Sequence, residues 1–275
     1  MATPNKPQPN LTTSMTKPRL LTFKRLRIAI LLGVLAVVAG STYYQVHAMA
    51  NWSRPLIMTI YPINGTGTAA VAKYINNLKM DDFADLARFL DEEADAYNVT
   101  TTPLLNLRLG RELHSLPPAP PARQAGAFAI GKWSLDLRYW LYRHLSTFGL
   151  ETRHIRMFVI YHGENNNKPL KHSFGLRKGL IGVVNAFALA DQNAQNNVVI
   201  AHELLHTLGA TDKYEHDGNP RFPEGYGDPR QDPLYPQEFA EIMAGRIAVS
   251  RNESEIPDSL DQTLIGEATA REIHW

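Results

Sequence analysis

In the stretch NAQNNVVIAHELLHTL, Asn193 to Leu208, two histidines stand four positions apart, His202 and His206, with Glu203 directly after the first. Val198, Ala201, Leu204, Leu205 and Leu208 fall among polar positions as a helix requires, and at 100° per residue the two histidines differ by only about 40° around its axis. Both imidazoles therefore reach one metal ion from the same helix face. Glu203 points beside that pair, poorly placed to ligate the same ion but well placed to take a proton from a water bound to it. The chain contains no cysteine, so a metal must be held by His, Asp or Glu. Imidazole and carboxylate ligands with a water in the fourth place suit zinc, and cobalt, manganese and iron are compatible by ligand type. A bare H-E-x-x-H pattern arises by chance in on the order of one per cent of chains this long, so it counts only with its helical, apolar-flanked setting.

Two histidines leave a catalytic zinc one protein ligand short. Gly209 ends the helical pattern and Asp212 follows three positions later. Glu215, His216 and Asp217 lie within reach of a flexible turn, and Glu224, Glu238 or Glu241 can supply a carboxylate from a later segment. The competing role of Asp212 is to cap the turn or pair with Lys213.

The run HELLHTLGATD resembles the metzincin clan of zinc peptidases, in the snapalysin-like variant whose pattern ends in Asp. The resemblance implies a sharp turn at Gly209 that swings Asp212 onto the metal, and a methionine turn beneath the site, for which AEIMAGRI with Met243 is the candidate. It also implies a closing helix, for which SLDQTLIGEATAREIHW (Ser259 to Trp275) is the candidate. The expected function is hydrolysis of protein or peptide substrates, with His202, His206 and Asp212 on zinc. Glu203 is the general base that later returns the proton to the leaving amine. The alternative is a zinc-stabilised but catalytically inactive binding or assembly module anchored to a membrane, against which the intact Glu203 counts. Tyr214 and Tyr226 are candidates at the oxyanion, although packing is the commoner role of loop tyrosines.

These residues need a scaffold. LIMTIYP (Leu56 to Pro62), LLNLRLG (Leu104 to Gly110), IRMFVIYH (Ile155 to His162) and LIGVVNAFAL (Leu180 to Leu189) have strand composition. Phe83, Leu86, Phe89, Leu90 and Ala94 recur at helical spacing, as do Leu135, Leu137, Trp140, Leu141 and Leu145. LPPAPPAR reads as a polyproline-type connector. The order predicts one α+β domain; with the resemblance, a zincin-like domain with a mixed twisted sheet, an active-site helix and a C-terminal helix. LIGVVNAFAL is the candidate edge strand for an extended substrate, and the Pro- and Gly-dense loop Asp217 to Pro236 is a candidate cleft wall.

The formal net charge of +1 hides an asymmetry. Residues 1–27 carry Lys6, Lys17, Arg19, Lys24, Arg25 and Arg27 and no acid, so the remainder is acidic and nucleic-acid binding has little support. This basic tail precedes an uncharged run, and residues 28–46 read as a transmembrane signal-anchor of about 28 Å at roughly 1.5 Å per residue. A cleaved signal peptide is the rival reading, with Ala48-Met49-Ala50 as the cleavage pattern. Residues 47–275 would then form the metallopeptidase domain. The expected location is the periplasmic face of a bacterial inner membrane, or outside the cell after cleavage.

Overall fold

Four strand-forming runs set the architecture: three are apolar with little alternation, as strands buried on both faces need no polar side, and the fourth, LNLRL, alternates. In the computed structural model, which describes residues 23–49, 51–122, 124–145, 153–163 and 170–275, they form β1 (Leu56–Asn64), β2 (Leu105–Leu109), β3 (His154–His162) and, after β4 (Phe174–Leu176), β5 (Ile181–Phe187). The sheet order is β2-β1-β3-β5-β4. The first four of these run parallel, with registers such as Tyr61 opposite Phe158 and Phe158 opposite Val183, and β4 alone is antiparallel to its neighbour.

The crossovers place helices on both sheet faces, as parallel pairing demands. α2 (Ala69–Asn77) starts where Thr68 Oγ1 accepts from the Val71 N–H, and α3 (Ala84–Ala96) buries Leu86, Phe89, Leu90 and Ala94, while Asp91 and Glu93 accept from the N–H groups of Leu104 and Ile265. With α5 (Asn193–Leu208) they cover one face, joining Met58, Ile60, Val184, Leu204 and Leu205 in the larger core. α4 (Ala127–His144) covers the other, packing Leu137, Trp140 and Leu141 on Phe158 and Val183. After α5 the chain forms small pairings only: β6 (Ala240–Glu241) with β9 (Thr263–Leu264), and β7 (Ile247–Ala248) with β8 (Ser254–Glu255). The described residues are thus α+β with a mixed sheet and six helices, the last being α6 (Glu267–Glu272).

Three expectations are corrected. The fold is expected to begin with a transmembrane or signal helix at 28–46; the corresponding helix is α1 (Phe23–Met49), and no helix among the described residues is long and apolar enough to cross a membrane. Lys24, Arg25 and Arg27 occupy its first turns, and the uncharged run from Ile28 to Gly40 spans only about 20 Å before Ser41 and Thr42, short of a hydrocarbon core of roughly 30 Å. Residues 1–22 of the basic tail, and Ala50 of the cleavage pattern, lie outside the described residues. The second correction concerns β5, which is flanked by β3 and β4, so the outer strand on that side is β4. The third concerns Ser259 to Trp275: it is a single 3-10 turn, then β9, then the short α6, because Thr263 and Leu264 are drawn into pairing with β6.

Candidate metal centre

α5 stops where it must for Asp212 to return. Gly209 adopts φ 118°, a left-handed conformation that costs glycine little, and its N–H bonds to the Leu205 and His206 carbonyls. A side chain here would also meet the Arg177 guanidinium at 3.0 Å. The chain turns back within three residues. Asp212 Oδ1 then lies 3.0 Å from His206 Nε2 and 3.3 Å from His202 Nε2. One ligand atom from each of the three residues falls within 4.8 Å of the others, and among the described residues this is the group of His and carboxylate side chains able to hold a metal ion.

The hydrogen bonds behind the rings decide what these atoms offer. His202 Nδ1 lies 2.9 Å from the Ile242 carbonyl and His206 Nδ1 lies 2.8 Å from the Ala210 carbonyl. A carbonyl only accepts, so each Nδ1 carries a proton, and a ring that is neutral presents its Nε2 lone pair to Asp212. Two lone pairs and a carboxylate oxygen in contact repel unless positive charge sits among them: two extra protons on adjacent rings 4.7 Å apart, or one cation. The donor set therefore fits a metal ion, with both histidines oriented by the outer hydrogen bonds that metal-ligating imidazoles commonly make.

Burial pulls the His202 imidazole down, but its hydrogen bond to Asp212 and the charge of Glu203 outweigh this and raise it above its ordinary 6.5. Burial likewise pushes the Asp212 carboxyl up, yet hydrogen bonds from His202 and His206 hold it far below the usual carboxylate range. For the metal-free chain, stability from a raised histidine is complete below about pH 6.5 and is lost as pH rises through the folded-state value, whereas that from Asp212 is lost only in acid. A metal ion held by these histidines would need them neutral, so the stabilisation it gave would grow over the same rise. Melting curves at several pH values should show the metal-free transition falling above about pH 6.5 while the increment on adding zinc increases. An increment that shrinks as pH rises would count against histidine ligation.

Glu203 is buried, only 4% exposed, and its Oε2 has no hydrogen-bond partner among the described residues. Burial raises its carboxyl even against the nearby histidines. Such an atom is costly unless chemistry uses it. Glu203 lines, with His202, His206 and Asp212, a cleft of about 1040 Å3 whose other walls include Trp133, Phe174, Val198 and Val199. β4 forms its rim and presses so closely on α5 that a Cβ at Gly175 would meet the Glu203 carbonyl at 2.3 Å.

The remaining candidate ligands are placed elsewhere. Glu241, fully buried, accepts from the N–H groups of Met243 (2.7 Å), Ala244 (3.1 Å) and Gly266 (3.2 Å) and from Thr269 Oγ1 (2.5 Å). It builds the turn at Met243, itself fully buried, and so fixes the neighbouring Ile242 carbonyl that orients His202. Glu215, His216 and Asp217 line an adjoining polar cavity of about 880 Å3 that touches Asp212 but are not in the ligand cluster; Glu224 and Glu238 line neither space. Tyr214 lines both, whereas Tyr226 bonds to the Tyr235 hydroxyl at 2.8 Å, lines neither, and is pushed up to about 12 by burial. The loop after Asp217 is packed: Arg221 N–H donates to the Lys213 carbonyl, and a Cβ at Gly225 would meet that same oxygen. Lys213 does not pair with Asp212. Its ammonium turns to Glu272, a partnership across a separation of 59 residues for which the sequence holds no local signal.

No family model matches the chain, and no curated protein matches it.

Proposed function

We propose that this chain is a zinc peptidase that hydrolyses protein or peptide substrates, with His202, His206 and Asp212 as ligands and Glu203 as general base. One observation carries the reading: three ligand atoms converge around a shared point, and Glu203, whose buried Oε2 has no partner among the described residues, lines the same cleft. The resemblance of HELLHTLGATD to the metzincin clan supports the same assignment. Zinc, when bound, supplies Lewis acidity that makes a water acidic near neutral pH and polarises a carbonyl. The residues of the chain do the rest. Asp212 and the two Nε2 atoms would hold the ion, and the Glu203 carboxylate would take the proton of the attacking water and pass it to the leaving amine. The outer edge of β4 offers backbone groups to an extended substrate, and Trp133, Phe174, Val198 and Val199 take apolar side chains.

The test is digestion of a denatured protein mixture by the full chain loaded with one equivalent of zinc, with chelator and zinc-restored controls. New peptide termini that vanish with chelator and return with zinc support the reading. A stoichiometrically loaded chain that cuts nothing would leave a zinc-stabilised binding module instead.

A further inference from the structure

Asp212 is half-exposed, on a turn outside any helix or strand, yet a metal ligand must hold its place to a fraction of an ångström. The residues on either side supply the rigidity. Lys213 is 1% exposed, and the three donors of its ammonium meet the Thr211 carbonyl (2.8 Å), Thr211 Oγ1 (2.8 Å) and Glu272 Oε2 (2.7 Å). Glu272 answers by accepting from Thr211 N–H at 2.8 Å and Thr211 Oγ1 at 2.7 Å. The backbone of Lys213 is fixed separately, its N–H donating to the Met243 carbonyl at 2.9 Å. Asp212 thus sits between two residues that are both tied down.

A buried ammonium is costly, and a well-packed apolar pair of similar volume commonly serves stability as well or better. Fold stability alone therefore does not explain a lysine here. The other end of α6 makes a parallel connection: Gly266 N–H and Thr269 Oγ1 donate to Glu241, whose carboxylate holds the turn behind His202. One short helix is bonded to the supports of ligands on both sides of the ion.

From this we infer that α6 is a brace for the metal centre and that Glu272, acting through Lys213 and Thr211, is a positioning residue for Asp212. The inference rests on the metal site proposed above and adds a determinant of metal affinity 60 residues away from the ligand it serves. Loss of the brace leaves all three ligands present but lets Asp212 wander, so the chain binds zinc more weakly and releases it faster.

The test compares wild type, Lys213→Met, Glu272→Leu, the double variant Lys213→Met/Glu272→Leu, and Glu272→Gln. For each full chain, the metal-free melting temperature is measured alongside zinc affinity by competition with a chromophoric chelator. Each single apolar variant strands a charge and is expected to melt lower and to bind zinc about 10–100-fold more weakly. The double variant removes both charges, so its melting temperature should recover toward wild type while zinc affinity stays about 10–100-fold down, a split that a merely structural pair would not give. Glu272→Gln, nearly isosteric, keeps the fold even if the double variant does not recover and is expected to weaken zinc less than Glu272→Leu. Wild-type affinity in the double variant or in Glu272→Gln overturns the brace. A wild-type chain that takes up no zinc overturns the metal site and the brace together, a result distinct from the first.

Discussion

Glu203→Gln is expected to slow peptide hydrolysis by about 10²–10⁴-fold, the usual contribution of a positioned general base, while zinc content stays at that of wild type. The side chain is buried and its Oε2 lacks a partner, so the amide fits the same space and disturbs little. What disappears is the proton acceptor. Removing the buried charge should also raise the metal-free melting temperature slightly, because burial disfavours the ionised carboxyl that neutral pH requires. Activity and stability then move in opposite directions, the pattern of a group retained for chemistry at a cost to the fold. Turnover by the variant at the wild-type rate would remove Glu203 from the mechanism.

Asp212→Ala carries the second large effect. Losing a ligand should exceed what losing an outer hydrogen bond does, so zinc affinity is expected to fall by more than about 100-fold, with hydrolysis lost at limiting zinc. The fold should survive, since Asp212 is half-exposed and its neighbours Thr211 and Lys213 are held independently. The metal-free variant should even be less sensitive to alkaline pH, because the carboxylate that raises His202 is gone. Both properties are read from chelator competition and melting curves on the same preparation. Wild-type zinc affinity in this variant would return the third-ligand role to another residue.

The parts of the molecule that could be read from sequence are those where a local rule and the tertiary outcome agree. β1, β3 and β5 are runs of apolar residues because both their faces are covered, and α3 announces itself through Leu86, Phe89, Leu90 and Ala94, with Phe83 in the 3-10 turn just before it. α5 has an apolar pattern and a terminating Gly209, and the φ of that glycine is what allows Asp212 to reach the histidines. Other features have no such rule. β4 is three residues long, too short for a periodic signal, so the sequence points to β5 as the edge in its place.

Residues 28–46 have the length of a membrane span, but from Ser41 on they are largely polar. Glu241 was a ligand candidate because a carboxylate looks the same in sequence whether it faces a metal or the N–H groups of Met243 and Ala244. Lys213 and Glu272 escaped for a related reason, since their pairing depends on how two distant segments meet.

The most direct test of the metal centre is X-ray absorption at the zinc edge on the full chain loaded with one equivalent. The expected spectrum has two imidazole nitrogens and light oxygen scatterers at roughly 2.0–2.2 Å, with four neighbours in all, and loses the imidazole signature stepwise in His202→Ala and His206→Ala. A shell made of oxygen alone, or an imidazole count unchanged by both substitutions, would contradict a zinc held by His202, His206 and Asp212.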